Sequence, residues 1–219
     1  MSNEFFRANA DFSSETAARL PLLTPTDMSE EQRSLHDEVV AGPRGKMVGP
    51  LLAAIHSPEL ARRWSRMGEF LRYKTRIPPR LSELAILVTA RRWTSQVEWA
   101  IHSEAAIEAG VSPEIVDAIR GAESPEFNDE VDALVYEYAR QLQQSGEVEL
   151  ALYKAVEARW ETAGVVELTA IIGYYTMVSM TLNAHHIPLP ESCLAAELDV
   201  PESGRMTALP PCVTSGGVM

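Results

Sequence analysis

The sequence predicts an all-α protein, a bundle of about eight helices. Three observations lead there. Apolar residues recur at helical spacing along most of the 219 residues. The periodic segments open on Ser or Pro and close on Gly, residue types that start and stop helices. No stretch shows strand alternation bounded by hairpin turns.

Residues 1–28 are mixed and punctuated by Pro and Thr, and are expected to form an N-terminal arm. Ser29 begins a helix, and Gln32, three positions on, completes a capping-box pattern. The helix ends near Ala41, before the loop GPRGKMVGP. That loop lacks the spacing of a phosphate-binding P-loop and no strand precedes it. It reads as a connector and a candidate for lining a pocket.

Ser57-Pro58 supplies an N-cap and a first-turn proline. Leu60, Trp64, Met67 and Leu71 follow at helical spacing, and core packing is the expected role of Trp64 and Met67. Pro78-Pro79 opens the next helix. Its run LAILVTA, Leu84 to Ala90, is apolar all round, so burial on several sides is expected. The chain turns near Thr94, and a further helix from Gln96 to Ala109 stops at Gly110.

Ser112-Pro113 opens a short helix that Gly121 closes. Val131, Leu134, Val135, Tyr138 and Leu142 mark a longer one, ended by Ser145-Gly146. Leu152, Val156 and Trp160 mark another; Gly164 is expected to break it, and a long apolar helix continues to Asn183. Prolines recur from Pro188 to Pro211 and predict an extended tail without its own core, residues 187–219. The helical domain is thus 29–186. A weak internal echo lays Glu83 and His102 on Glu167 and His186, nineteen residues apart in each case. Duplication and coincidence both fit it.

Composition narrows the function. Apolar residues make up 46%, enough for a sizeable core. The net charge of -12 lacks the basic footprint of a nucleic-acid binder. Cys193 and Cys212 form no CxxC, and a disulfide scaffold is not expected. The first residues carry no basic segment followed by an apolar one, so no signal peptide is read and a cytoplasmic protein is expected. Val165 to Leu182 is the most apolar stretch, but it contains Glu167 and Gly173. A core helix is expected there rather than a membrane span.

The chemistry-bearing residues cluster in SELAILVTARRWTSQVEWAIH. Glu83 lies in the first turns of an apolar helix, where a carboxylate also suits the positive dipole end. Glu98 and His102 are four apart and share a face that continues into Ala105, Ala106 and Ala109. An ionisable pair on such a face needs partners or a function. It either pins two helices together or does acid–base chemistry. Ser95 either caps that helix or joins the pair. Arg91 and Arg92 fit either a carboxylate-binding role or the negative dipole end of their helix.

A Glu in ELAIL, then EWAIH, then AAIEAGVSPEIVDAI resembles the carboxymuconolactone decarboxylase and alkylhydroperoxidase D-like superfamily. SPELARRW, PPRLSELAIL and YYTMVSMTLNAHHIPLPE extend the resemblance from Leu51 to Pro190. The redox branch of that superfamily has a Glu, a CxxC and a His. Here the Glu falls on Glu83 and the His on His102, while the cysteine places fall on Ser95 and Glu98. With both thiols missing, a dithiol peroxidase is disfavoured.

The decarboxylase branch is the better match, because it carries Glu-Trp in place of the second cysteine. The resemblance implies an alkylhydroperoxidase D-like helical fold. It also implies a trimer or hexamer, and decarboxylation of a small carboxylated lactone without cofactor or metal. Glu83, Glu98 and His102 become the candidate catalytic residues, with Ser95 and Trp99 as substrate-binding neighbours. An isomerase, a hydrolase or a non-catalytic binding protein on the same scaffold remain alternatives. His185-His186 and the tail have no role in the pattern. Adjacent histidines at a helix end point in different directions, so no metal is expected. The expected partners are a small-molecule substrate and copies of the same chain, with no nucleic acid and no membrane.

Overall fold

A computed structural model describes residues 18–42, 45–189, 198–214 and 217–218. Most of the expected N-terminal arm, Cys193 and Pro190 lie outside the described residues. The described chain is a helical bundle. It comprises α1 (Glu30–Ala41), α2 (Leu51–Ala54), α3 (Pro58–Tyr73), α4 (Pro79–Arg92), α5 (Gln96–Glu108), α6 (Pro113–Gly121), α7 (Glu130–Ser145) and α8 (Leu150–His185). Three two-residue strands accompany them: β1 (Glu126–Phe127), β2 (Val213–Thr214) and β3 (Gly217–Val218).

Local signals set most helix ends. The capping box at α1 is complete: the Gln32 N–H donates to Ser29 Oγ, and the Ser29 N–H donates to Gln32 Oε1. Ser112 Oγ accepts from the Ile115 N–H at the start of α6, and Asp129 accepts from the Val131 N–H at the start of α7. Gly110 follows α5 at φ +100° and Gly146 caps α7 at φ +77°, conformations open to glycine at little cost. Gly121 plays no such part. The left-handed cap of α6 is Ala122, at φ 54°. The one-turn helix α2 carries no sequence signal beyond its leading proline.

α4 is the axis of the bundle. Every residue from Leu81 to Arg91 is buried, as its all-round apolarity predicts, and α5, α7 and α8 pack around it. α3 lies at the margin and buries a narrow stripe of Ala61, Trp64, Gly68 and Leu71. Met67 and Leu60 stand just off that stripe and are 46% and 52% exposed. The expected core role therefore holds for Trp64 and not for Met67.

α8 departs from helical geometry at Trp160 (φ -127°) and Glu161 (φ 59°), three residues before the glycine expected to break it. Gly164 is helical and buried. A Cβ there would lie 2.1 Å from the Trp160 Cβ. The glycine admits the Trp160 side chain folded back at the break, rather than making the break itself. Beyond it, α8 is the one helix among the described residues long and apolar enough to cross a membrane. It runs instead through the bundle, with half of its most apolar window buried, including Leu168, Ile171, Ile172 and Val178.

The C-terminal segment has no core of its own but borrows that of the bundle. Leu198, Leu209 and Cys212 are buried. Gln96 exchanges two hydrogen bonds with the Leu198 backbone, and Gln144 does the same with Leu209. β2 pairs parallel with β1 and antiparallel with β3. Arg91 and Arg92 serve this segment: Arg91 Nη1 donates to Thr207 Oγ1 and the Asp199 carbonyl, and Arg92 Nη1 to the Thr207 carbonyl.

Candidate active site

α4 and α5 form a helical hairpin through the turn at Trp93–Ser95. Thr94 sits in that turn at φ 43°, a left-handed conformation costly for a β-branched residue. The hairpin sets Glu83 of α4 against Glu98 and His102 of α5. His102 Nδ1 lies 2.6 Å from Glu83 Oε2, and Nε2 lies 3.3 Å from Glu98 Oε2. All three side chains are buried. The Glu83 contact is a hydrogen bond. The Glu98 contact has ion-pair distance without hydrogen-bond alignment, which leaves Glu98 Oε2 with no hydrogen-bond partner among the described residues.

Burial works against the charged imidazole, but the contacts with Glu83 and Glu98 outweigh it. The His102 pKa is raised from 6.5 to about 9. His102 is therefore an imidazolium at neutral pH, a proton donor held between two carboxylates. This differs from a histidine titrating near neutrality.

Tyr175 of α8 meets the His102 ring edge-on at 5.0 Å, and Tyr174 stands 5.3 Å from Tyr175. Burial, then the Glu98 charge, hold the Tyr175 hydroxyl well above its ordinary value, so it stays protonated. Trp64 meets Tyr174 edge-on at 6.3 Å, linking this aromatic wall to α3.

These groups face a cavity of about 360 Å³, within the usual size of small-molecule sites. Glu98 and His102 form its polar end, Tyr174 and Tyr175 one wall, and Arg72 and Tyr73 of α3 another. Lys46, Val48, Gly49 and Pro50 line it from the loop before α2, with Ala100, Ile101 and Glu104 of α5 and Val178 of α8. The glycine-containing loop thus lines a pocket, as its sequence suggested. A more open groove of about 600 Å³ at the junction of α7 and α8, lined by Gln141, Leu150 and Tyr153, contains no histidine.

Of the five residues singled out in the sequence, Glu98 and His102 line the cavity. Glu83 stands behind His102 and fixes its ring. Ser95 and Trp99 are buried and are not among the lining residues. Ser95 is the N-cap of α5, yet its hydroxyl makes no capping bond and has no hydrogen-bond partner among the described residues. Arg72, Tyr174 and Tyr175 were not singled out. The adjacent tyrosines in an apolar helix were the available signal, since buried hydroxyls seek a purpose. Arg72 had none, because α3 carries several arginines.

The internal echo creates no second site. Glu167 accepts the Arg76 backbone N–H at 2.6 Å, whereas His186 ends α8 in the left-handed conformation. Nineteen residues along one helix span about 28 Å, while the hairpin folds the first pair into contact.

Residues 58–136 match the carboxymuconolactone decarboxylase family. The matched segment contains Arg72, Glu83, Glu98 and His102, and so most of the polar groups of the cavity. No curated protein matches the chain.

Solved structures share the fold at low identity. The alkylhydroperoxidase AhpD core of an uncharacterized peroxidase-related protein from Ralstonia eutropha JMP134 aligns with a TM-score of 0.65 and 15% identity, covering 83% of this chain and 97% of that one. An uncharacterized peroxidase-related protein from Silicibacter sp. TM1040 gives 0.63 and 14%, covering 80% and 93%. A cysteine-to-alanine variant of the debrominase Bmp8, in complex with 2,3,4-tribromopyrrole, gives 0.61 and 14%, covering 82% and 97%. The segment that matches the carboxymuconolactone decarboxylase family thus sits in an all-α fold of the AhpD-like type.

Proposed function

We propose that this protein belongs to the carboxymuconolactone decarboxylase family and is a cofactor-free carboxy-lyase acting on a small carboxylated lactone or related acid. The observation that carries the reading is the buried imidazolium of His102, set between Glu83 and Glu98 at the end of the cavity. Loss of carbon dioxide breaks a carbon–carbon bond and leaves its electron pair in a conjugated carbonyl. That dienolate must then take a proton on carbon. His102 supplies it and recovers one from solvent. Glu83 holds the ring. Glu98 raises the energy of a carboxylate bound beside it, and the tyrosine wall favours the charge-dispersed transition state over the charged ground state.

A second reading draws on the Glu98 oxygen that lacks a hydrogen-bond partner among the described residues. A carboxylate base next to an imidazolium acid is also the equipment of an isomerase, with Glu98 removing a proton and His102 delivering one. A dithiol peroxidase remains disfavoured. Ser95 and Glu98 stand at the cysteine places, and burial beside the Glu137 charge pushes the Cys212 thiol up to about 12.

The deciding experiment measures carbon dioxide released from a panel of carboxylated lactones by wild type and His102→Gln. Release that disappears in the variant supports the lyase. No release from any lactone, with proton exchange into the same compounds, moves the assignment to the isomerase.

A homo-oligomer, trimer or hexamer, belongs to the same proposal and rests on the family resemblance; a cytoplasmic location is proposed from the lack of a basic segment followed by an apolar one in the first residues. Val166, Met177 and Met180, exposed along α8, would supply an apolar face. Sedimentation as a strict monomer at micromolar concentration would count against it.

A further inference from the structure

One of the two cations that line the cavity, Arg72, has no acceptor among the described residues. Arg72 lies near the end of α3, partly buried, and its guanidinium lines the same cavity as Glu98 and His102. Among the described residues it makes no hydrogen bond and no ion pair. Its guanidinium carbon lies 5.7 Å from the centroid of the Tyr73 ring. The neighbouring arginines on α3 behave differently: Arg62, Arg63 and Arg66 are each paired with a carboxylate on the outer surface. A guanidinium withdrawn from bulk water normally finds an acceptor, because it loses hydration otherwise. Glu83 and Glu98 are near enough to act on its charge through space, but both are engaged with His102.

We propose that Arg72 anchors an anionic group of the ligand, so that the cavity takes a small planar carboxylic acid. Its carboxylate sits on the guanidinium and its unsaturated skeleton lies against Tyr174 and Tyr175. The planar fork of Arg suits two parallel bonds to a carboxylate. Exposed Lys46 and exposed Glu104, both in the lining, offset one another, which leaves Arg72 as the cation available to the ligand. With the anion at Arg72, the far end of the ligand meets His102 and Glu98.

The assignment has a chemical consequence. A carboxylate paired with a guanidinium is stabilised against leaving as carbon dioxide. The anchored group is therefore retained, and a decarboxylated substrate carries a second carboxylate, beside His102, which is the one that leaves. The anchor rests on the acid–base reading only in saying which end of the ligand reacts.

The test is equilibrium binding, read by calorimetry, of benzoate and of benzamide, its neutral analogue of the same shape. Wild type is expected to bind benzoate and to prefer it to benzamide. Arg72→Gln should weaken benzoate binding about 10- to 100-fold, the factor expected for loss of a charge-assisted pair, and leave benzamide unchanged. Arg72→Lys should recover part of the loss. His102→Gln should keep the preference for benzoate.

Equal binding of benzoate by wild type and Arg72→Gln would overturn the anchor. So would failure of wild type to bind benzoate, or an equal loss for benzamide. If the preference tracks Arg72 while no lactone is decarboxylated, the anchor stands and the lyase reading falls. If lactones are decarboxylated and Arg72→Gln changes neither KM nor benzoate binding, the lyase stands and the anchor falls.

Discussion

His102 carries two opposed consequences. Its folded-state pKa, about 9, lies above its ordinary 6.5, so the protonated ring favours the fold. That contribution is complete below pH 6.5 and is lost as pH rises through about 9. The shift corresponds to stabilisation on the order of 3 kcal/mol. Thermal melts across this window should fall toward the alkaline side in wild type and flatten in His102→Gln. Turnover should fall over the same upper limit, because the imidazolium is the acid. His102→Ala is a poorer probe. It leaves two buried carboxylates facing each other and is expected to cost about 3–5 kcal/mol. Lost activity in that variant would not separate chemistry from folding; the Gln variant keeps a donor.

At the level of elements, Gly164 and Ala122 test opposite sides of one argument. Gly164→Ala places a Cβ 2.1 Å from the Trp160 Cβ and must shift α8 at its break. A loss of about 1–3 kcal/mol in denaturant unfolding is expected, smaller when Trp160→Ala is combined with it. Ala122 occupies the left-handed cap of α6, at φ 54°. Ala122→Gly should raise stability by about 0.5–1 kcal/mol, since alanine pays about 1–2 kcal/mol there. No gain would mean that the hydrogen bonds from the Ala122 N–H to Ala118 and Ile119 already hold the cap without strain.

On the scale of the whole molecule, the C-terminal segment braces the hairpin that carries the site. Thr94 is buried, left-handed and gripped from three directions. Thr207 Oγ1 lies 2.9 Å from its hydroxyl, Arg91 Nη1 donates to the same hydroxyl, and Arg205 Nη1 donates to its carbonyl. Thr207→Val keeps the shape and removes one of the three acceptors of Arg91 Nη1 together with the partner of the Thr94 hydroxyl. It should cost about 1–3 kcal/mol in unfolding. Because the brace ends on the α4–α5 turn, the variant should also lower kcat where the folded population is unchanged. A variant with wild-type kcat and lowered Tm would confine the brace to stability.

Much of this protein was determined by its sequence alone. Helical periodicity, the Ser29 capping box, the stops at Gly110 and Gly146, and the all-round apolarity of α4 are local facts, because a helix bonds only within itself. Glu98 and His102 were legible as a pair because i, i+4 spacing puts them on one helix face, and Glu83 joined them through the family resemblance. Only the tertiary structure decided the rest. Trp160 turning back on Gly164, Met67 falling outside the stripe of α3, Arg91 and Arg92 serving the C-terminal segment, and Arg72 and Tyr175 facing His102 all depend on distant segments. A side chain's neighbours across the bundle are set by how helices pack, and no spacing along the chain encodes them. The same holds for the charge on His102: the sequence supplies an imidazole, but burial between two carboxylates makes it an acid.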